Sequence, residues 1–241
     1  MPQVQHYIRP TQLAEALQLL AQPGTVALAG GTQLIAGAKT LETVVDLQAL
    51  GLDQIVVQDD TILLEGMARL QSLVDHPDLP PVLRAMAQRE GPNTFRHMST
   101  VGGTVAAADP ESELFAALLA FEAMVTIESL AGRSSFPLAA ARRLAAGELI
   151  TAVSIRADGQ AAAERVSRTP ADKPILAVIG RRDATGVTHL ALCGVAPRPI
   201  LATLDELAAL DPPADFRGSA EYRRYLAVLL SQRVLQALTT E

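Results

Sequence analysis

Residues 28–40 read LAGGTQLIAGAKT, and residues 100–104 read TVGGT. Each places Gly-Gly-Thr behind an apolar or extended stretch, and 72 residues separate Gly30 from Gly102. Paired glycines let a backbone approach a ligand with no Cβ in the way and adopt positive φ, so that successive N–H groups can turn toward an anion. The threonines add hydroxyl donors. We read the two stretches as loops that grip a diphosphate from both sides, although either alone reads more readily as a tight turn. A P-loop fits poorly, because it needs four residues between its glycines and then Gly-Lys-Ser/Thr. Here five residues separate Gly31 from Gly37, and Ala38 stands between Gly37 and Lys39. Lys39 reads as a solvated helix residue. The Gly-x-Gly-x-x-Gly dinucleotide fingerprint is absent.

Working outward, Leu13, Leu17 and Leu20 fall at helical spacing after Pro10-Thr11, and Pro23-Gly24 closes that helix. TVALAGG is a short apolar strand that runs straight into the first glycines. TVVDL reads as a strand, and QIVVQDDTILLEGM as a hairpin turning at Asp59-Asp60. RLQSLVDHPDLPPVLRAMAQR is helical on both sides of a proline-rich break. After the second glycine loop come a helix, with Pro110 in its first turn beside Glu111 and Glu113, and a strand. ELITAVSIRADG is another strand. From about Gln160 the character changes to strands around the turn RDATG. The last segment is an amphipathic helix with Tyr222, Leu226, Leu229 and Leu230 along one face, and Arg223 and Arg224 on its solvated face.

The chain has 241 residues, 49% of them hydrophobic, enough for an ordinary core in one domain or two small ones. Its net charge of −6 and its lack of any basic run longer than two residues argue against a nucleic-acid or anionic-membrane surface. No stretch approaches the roughly 18 apolar residues of a membrane span, and no basic-then-apolar signal region opens the chain, so a cytoplasmic protein is expected. The single Cys193 cannot form a disulfide within the chain or ligate an iron–sulfur cluster alone, and it reads as a core residue. Four scattered histidines show no metal-ligand spacing, so no metal is expected. Asp46 reads as forming a structural hydrogen bond after its strand, and His97, rather than facing a ligand, as an exposed or hydrogen-bonded loop histidine.

The ordered set of motifs resembles the FAD-binding (medium) subunit of the xanthine dehydrogenase/carbon monoxide dehydrogenase family of molybdenum hydroxylases. Ala29–Thr32 followed by Val44–Leu47 is similar to that family's Ala-Gly-Gly-Thr loop and VVDL strand. RHMSTVGGTVAAADPESEL is similar to its later glycine motif. GELITAVSI, RTPAD, LALCGVAPRPI and FRGSAEYRRYLAVLLSQRVLQAL resemble the remainder in order. The resemblance implies an α+β chain with a two-subdomain FAD-binding fold of the vanillyl-alcohol-oxidase/PCMH type at residues 1–158, dividing near residue 52. A small α+β C-terminal domain of antiparallel strands plus helices would follow at residues 159–241.

It also implies FAD as the cofactor, with its pyrophosphate cradled by backbone amides and hydroxyls. Leu28, Ala29, Gly30, Gly31, Thr32, Gln33 and Leu34 would line the first FAD loop. Thr100, Gly102, Gly103, Thr104 and Ala107 would form the second. Ser112 and Glu113 match a pair whose acidic member contacts the adenosine ribose. Leu149 and Ile150 match a pair beside the adenine, and Arg165 a lysine near the flavin. No residue of the chain is expected to act as an acid, base or nucleophile. The implied partners are an iron–sulfur small subunit and a molybdopterin large subunit, in a dimer of heterotrimers.

The sequence departs from the family pattern at Thr104 (usually Asn), Glu113 (usually Asp), Arg165 (usually Lys) and Asp109 (often Ser or Ala). The stretches before GEL and before DPPADFRGS are shortened. A carboxylate at Asp109 facing a diphosphate would repel it. These departures keep an alternative open, a non-catalytic assembly module of the same fold that has lost FAD binding.

Overall fold

The computed structural model describes residues 3–34 and 40–239, so Lys39 and Gly37 lie outside the described residues. The strands described form three sheets. In the first, β1 (Gln3–Ile8), β3 (Thr40–Asp46) and β2 (Thr25–Leu28) lie in that order, both pairings parallel. Helix α1 (Leu13–Leu20) packs Ala16, Leu17 and Leu20 against Val45 and Leu47. Parallel strands need a crossover, and α1 supplies the one between β1 and β2. Asp46 ends β3 and accepts from Gln48 N at 2.9 Å and from the Tyr7 hydroxyl, the structural role expected of it. β2 therefore stops where its chain reaches Ala29-Gly30-Gly31.

The second sheet is antiparallel: β4 (Ile55–Gln58), β5 (Thr61–Glu65), β8 (Leu149–Arg156), β6 (Met124–Ser129) and β7 (Gly132–Pro137), in that order. Its helices are α2 (Leu70–Asp75), α3 (Pro81–Arg89), α4 (Asn93–Met98), α5 (Val101–Ala107) and α6 (Glu113–Ala120). Every residue of α6 is buried, because the helix lies between this sheet and the third one. That is why its sequence is apolar all round instead of striped. The helix begins later than expected. Ser112 is its N-cap and accepts from Phe115 N at 2.9 Å, whereas Pro110 precedes it.

The third sheet is antiparallel, ordered β12 (Ile200–Leu201), β11 (Thr188–Cys193), β10 (Leu176–Arg182) and β9 (Gln160–Val166). The short α7 (Leu204–Leu207) and the long α8 (Ala220–Thr239) complete the chain. Leu226, Leu230, Val234 and Leu238 of α8 cover the sheet, and Cys193 is buried in the core as expected.

Two readings of α8 are corrected. Tyr222 is 40% exposed, so it is not part of the packed face. Arg223 is 2% exposed, not solvated. Its guanidinium donates to Ile175 O and Gly194 O, and meets Asp215 at 2.8 Å, so it satisfies two sheet-edge carbonyls that the helix would otherwise cover dry. At Gly180, β10 lies close against α8, and an added Cβ would lie 2.4 Å from Val234 Cγ1. Gly180→Ala is expected to cost about 1–3 kcal/mol by overpacking, measured as a lowered denaturation midpoint with an unchanged m-value.

Candidate functional site

The first glycine segment leaves β2 with Gly31 at φ +71°, a conformation that glycine adopts freely. Among the described residues, no partner receives the backbone N–H of Gly30, Gly31, Thr32 or Gln33. The second segment differs from its expected form. It is not a loop but the first turn of α5, with Thr100 as N-cap. Its amides are already spent inside the protein. Val101 N donates to Ala68 O at 3.0 Å, Gly102 N to Gly66 O at 2.8 Å, and Thr104 N to Thr100 O at 2.9 Å. Gly103 N donates to Thr100 Oγ1 at 3.0 Å.

The glycines of α5 therefore serve close packing. A Cβ on Gly102 would lie 2.8 Å from Gly66 O, while one on Gly103 would meet only Thr100 Oγ1, at 3.0 Å. The two segments touch: Ser99 Oγ donates to Thr32 Oγ1 at 3.2 Å, and a Cβ on Gly30 would fall 2.0 Å from Met98 O.

Between them opens a cavity of about 470 Å³, within the range typical of sites for cofactors and other small ligands. Of the residues expected to hold the cofactor, Ala29, Gly30, Gly31, Thr32, Gln33, Leu34, Thr100, Gly103, Thr104, Ala107 and Ser112 line it. Leu28, Gly102, Glu113, Leu149, Ile150 and Arg165 do not line it. Leu149 and Ile150 point their side chains into the cores beside α1 and α6. Glu113 is 2% exposed and sits 3.4 Å from both Arg89 and Arg165. Burial pushes its carboxyl above the usual range, and the two guanidinium groups oppose the shift. The Arg165 Nε, also buried, has no hydrogen-bond partner among the described residues.

The cavity also draws on Glu90, Phe95, Ser99, Asp109, Arg143 and Lys173. Only Asp109 among these was singled out from sequence. It does face the cavity, where it forms an ion pair with Lys173 and accepts from Glu111 N at 2.9 Å. The chain thus provides the countercharge that a lone carboxylate there would lack. Lys173 lies 64 residues from Asp109 and belongs to no glycine motif, so nothing local in the sequence marks it. Glu90 ends α3, and its Oε1 accepts from Ser112 Oγ and Leu114 N, both at 2.8 Å. Burial pushes its carboxyl up to about 6. His97 is exposed but lies in helix α4, not in a loop as expected, and it does not line the cavity.

Far from this cavity, Glu122, Asp183 and His189 bring one potential ligand atom each within 4.8 Å of one another. Their carboxylates are already engaged, Glu122 with Arg181 at 3.0 Å and Asp183 with the Thr185 hydroxyl and turn amides. The group reads as a polar seam.

A 155-residue α+β unit whose glycine-rich strand end faces a capped helix across a cavity fits one known class. The chain belongs to the family described as the FAD binding domain in molybdopterin dehydrogenase, whose model matches residues 2–156. FAD is the cofactor of that family, and the chain is a flavoprotein component of an oxidoreductase.

Among individual proteins, it is 27% identical to the carbon monoxide dehydrogenase medium chain of Afipia carboxidovorans, over 95% of each chain. It is 28% identical to the uncharacterized protein YgfM of Escherichia coli K12, over 94% of this chain and 93% of that one. It shares its fold with a chain of carbon monoxide dehydrogenase from Hydrogenophaga pseudoflava, with a TM-score of 0.88, 23% identity, and 99% and 98% of the two chains covered. The α+β flavin fold expected from the sequence is the one observed.

Proposed function

We propose that this chain is the FAD-binding electron-transfer subunit of a multi-subunit molybdenum hydroxylase. In this reading, electrons from a molybdenum centre in a large subunit pass through [2Fe–2S] clusters of a small subunit to the flavin, and then to an external acceptor. The heterotrimer would assemble twofold in the cytoplasm. Residues 1–158 would form the FAD-binding domain, and residues 159–241 the carbon monoxide dehydrogenase-type C-terminal domain. Among the described residues, no helix is long and apolar enough to cross a membrane.

The observation that carries the reading is the convergence of the two glycine segments on one cavity, with the Gly30–Gln33 amides turned to no described partner. We assign the diphosphate to those amides. The α5 segment gives a floor without Cβ atoms at Gly103, plus the hydroxyl of Thr100, whereas the Thr104 hydroxyl already donates to Thr100 O at 3.0 Å. Leu28, Gly102, Glu113, Leu149, Ile150 and Arg165 act behind this surface as support. FAD supplies the redox chemistry, and the protein contributes position, exclusion of water and hydrogen bonds.

The Lys173–Asp109 pair favours this reading over the non-catalytic assembly module, because it removes the repulsion that a bare Asp109 would impose. Lys173→Met is expected to weaken FAD binding about three- to fivefold, the scale of a half-exposed ion pair of up to about 1 kcal/mol. Adding Asp109→Asn should restore most of the loss. Fluorescence titration with FAD measures both. If the double variant binds no better than Lys173→Met, the charge argument fails.

A further inference from the structure

We propose that Glu90 positions the cofactor, its carboxylate accepting a hydrogen bond from a hydroxyl group of the bound dinucleotide. This inference rests on the reading of the cavity as the FAD site, and it moves the ligand-facing acidic role away from Glu113.

The geometry at the start of α6 leaves one candidate. Glu113 does not line the cavity and is held between Arg89 and Arg165. The Ser112 hydroxyl is used in both directions, donating to Glu90 Oε1 at 2.8 Å and accepting from Phe115 N at 2.9 Å. It has no proton left for a ligand. Glu90 lines the cavity, and Oε1 is fixed by Ser112 Oγ and Leu114 N. Among the described residues, no group donates to its Oε2. A carboxylate clamped through one oxygen, with the other unsatisfied on a cavity wall, is an acceptor waiting for a donor.

The cavity thus has two chemically distinct walls. The Gly30–Gln33 amides suit an anion, whereas the Glu90 wall repels one and suits a hydroxyl. FAD offers hydroxyls on the adenosine ribose and on the ribityl chain.

The charged groups around Glu90 are Asp109, Lys173 and Arg143 at the cavity, Arg89 beside it at the end of α3, and behind them Glu113 on α6 and Arg165 on β9. Burial is the main cause that raises the Glu90 carboxyl to about 6, and Asp109 adds to it. Lys173 and the hydrogen bonds from Leu114 and Ser112 oppose the rise. A ligand hydroxyl that donates to the carboxylate favours the ionised form. Cofactor affinity should therefore rise as pH increases through about 6.

Glu90→Gln tests this while keeping Oε1 as the acceptor for Ser112 and Leu114, and it presents an amide donor where the ligand needs an acceptor. FAD is titrated into the parent, Glu90→Gln and Glu113→Gln by flavin fluorescence between about pH 5 and pH 8. The expected result is a parent whose affinity rises with pH. Glu90→Gln should show a flat profile and bind about tenfold more weakly at the upper end, about 1.4 kcal/mol. Glu113→Gln should keep the parent's slope.

Parallel titrations with ADP and FMN locate the hydroxyl. A loss shared with ADP places it on the adenosine ribose, and one shared with FMN places it on the ribityl chain. If Glu90→Gln matches the parent in affinity and in pH profile, the inference is overturned and the site reading stands. A parent that takes up no FAD at any pH overturns both.

Discussion

Gly30→Ala is expected to lower FAD affinity at least tenfold, the larger of the effects at the glycine segments. Its Cβ would lie 2.0 Å from Met98 O, 2.7 Å from Met98 C and 3.0 Å from Ser99 Cα. These are backbone atoms, and Met98 O is also anchored by the Arg69 guanidinium, so the neighbour cannot swing aside as a side-chain end would. Overpacking costs about 1–3 kcal/mol and occasionally more, and an approach of 2.0 Å to a backbone oxygen puts this substitution in the upper half of that range. The strain falls on the seam where Ser99 holds Thr32, so the two segments must separate and the cavity between them changes shape. By the relation of about 1.4 kcal/mol per tenfold, affinity falls accordingly.

Gly31→Ala acts differently. Its φ of +71° strains any residue with a Cβ, at about 1–3 kcal/mol, without touching Met98. Gly103→Ala separates the causes, since its helical backbone accepts alanine and its Cβ meets only Thr100 Oγ1. Any affinity lost there, with the melting temperature unchanged, reports contact with the ligand. Equilibrium dialysis of the three variants gives the comparison. Parent-like affinity in Gly30→Ala would show that the seam does not shape the cofactor site.

The largest loss of stability is expected from Arg181→Ala. Arg181 is 0% exposed and joins three separate parts of the chain. Its Nε donates to Asp158 O at 2.9 Å, its Nη1 to Glu122 Oε2 at 3.0 Å, and its Nη2 to Asp158 Oδ1. The guanidinium also lies 5.6 Å from the centre of the Phe121 ring. Removing it leaves the Asp158 carboxylate, 6% exposed, with only the exposed Arg156 at 3.2 Å as a partner, and leaves the Phe121–Glu122 turn untied from β10. Breaking a buried pair in this way costs about 3–5 kcal/mol, or roughly 6–20 °C in melting temperature for a chain of this size. Differential scanning calorimetry measures it. A shift below about 2 °C would mean that the seam between β10 and the second sheet is held by apolar packing alone.

The fold was legible where local chemistry speaks. Leu13, Leu17 and Leu20 set out α1, Asp59-Asp60 turned the β4–β5 hairpin, and Gly30, Gly31 and Gly103 of the two Gly-Gly pairs lie at the cavity. Strands β1, β7 and β9 left little trace, because GRSSFP and QAAAERV carry neither alternation nor β-branched runs and are ordered only by their neighbours. Arg223 reads as a surface residue because nothing in SAEYRRYL announces two unpaired carbonyls, Ile175 O and Gly194 O, awaiting a donor. The site divides in the same way. The glycines and threonines could be named from their own chemistry in the motifs, and Ser112 only through the family resemblance. Glu90, Arg143 and Lys173 reach the cavity from elements whose placement is set by long-range packing, which spacing does not encode.

The central claim is that this cavity holds FAD. Titrating FAD into the purified chain, with bound and free flavin separated by equilibrium dialysis, tests it most directly. The account predicts saturable uptake of one flavin per chain, weakened at least tenfold by Gly30→Ala. A parent chain that leaves all flavin free, or that binds it equally well with Gly30→Ala and Gly31→Ala combined, would contradict it.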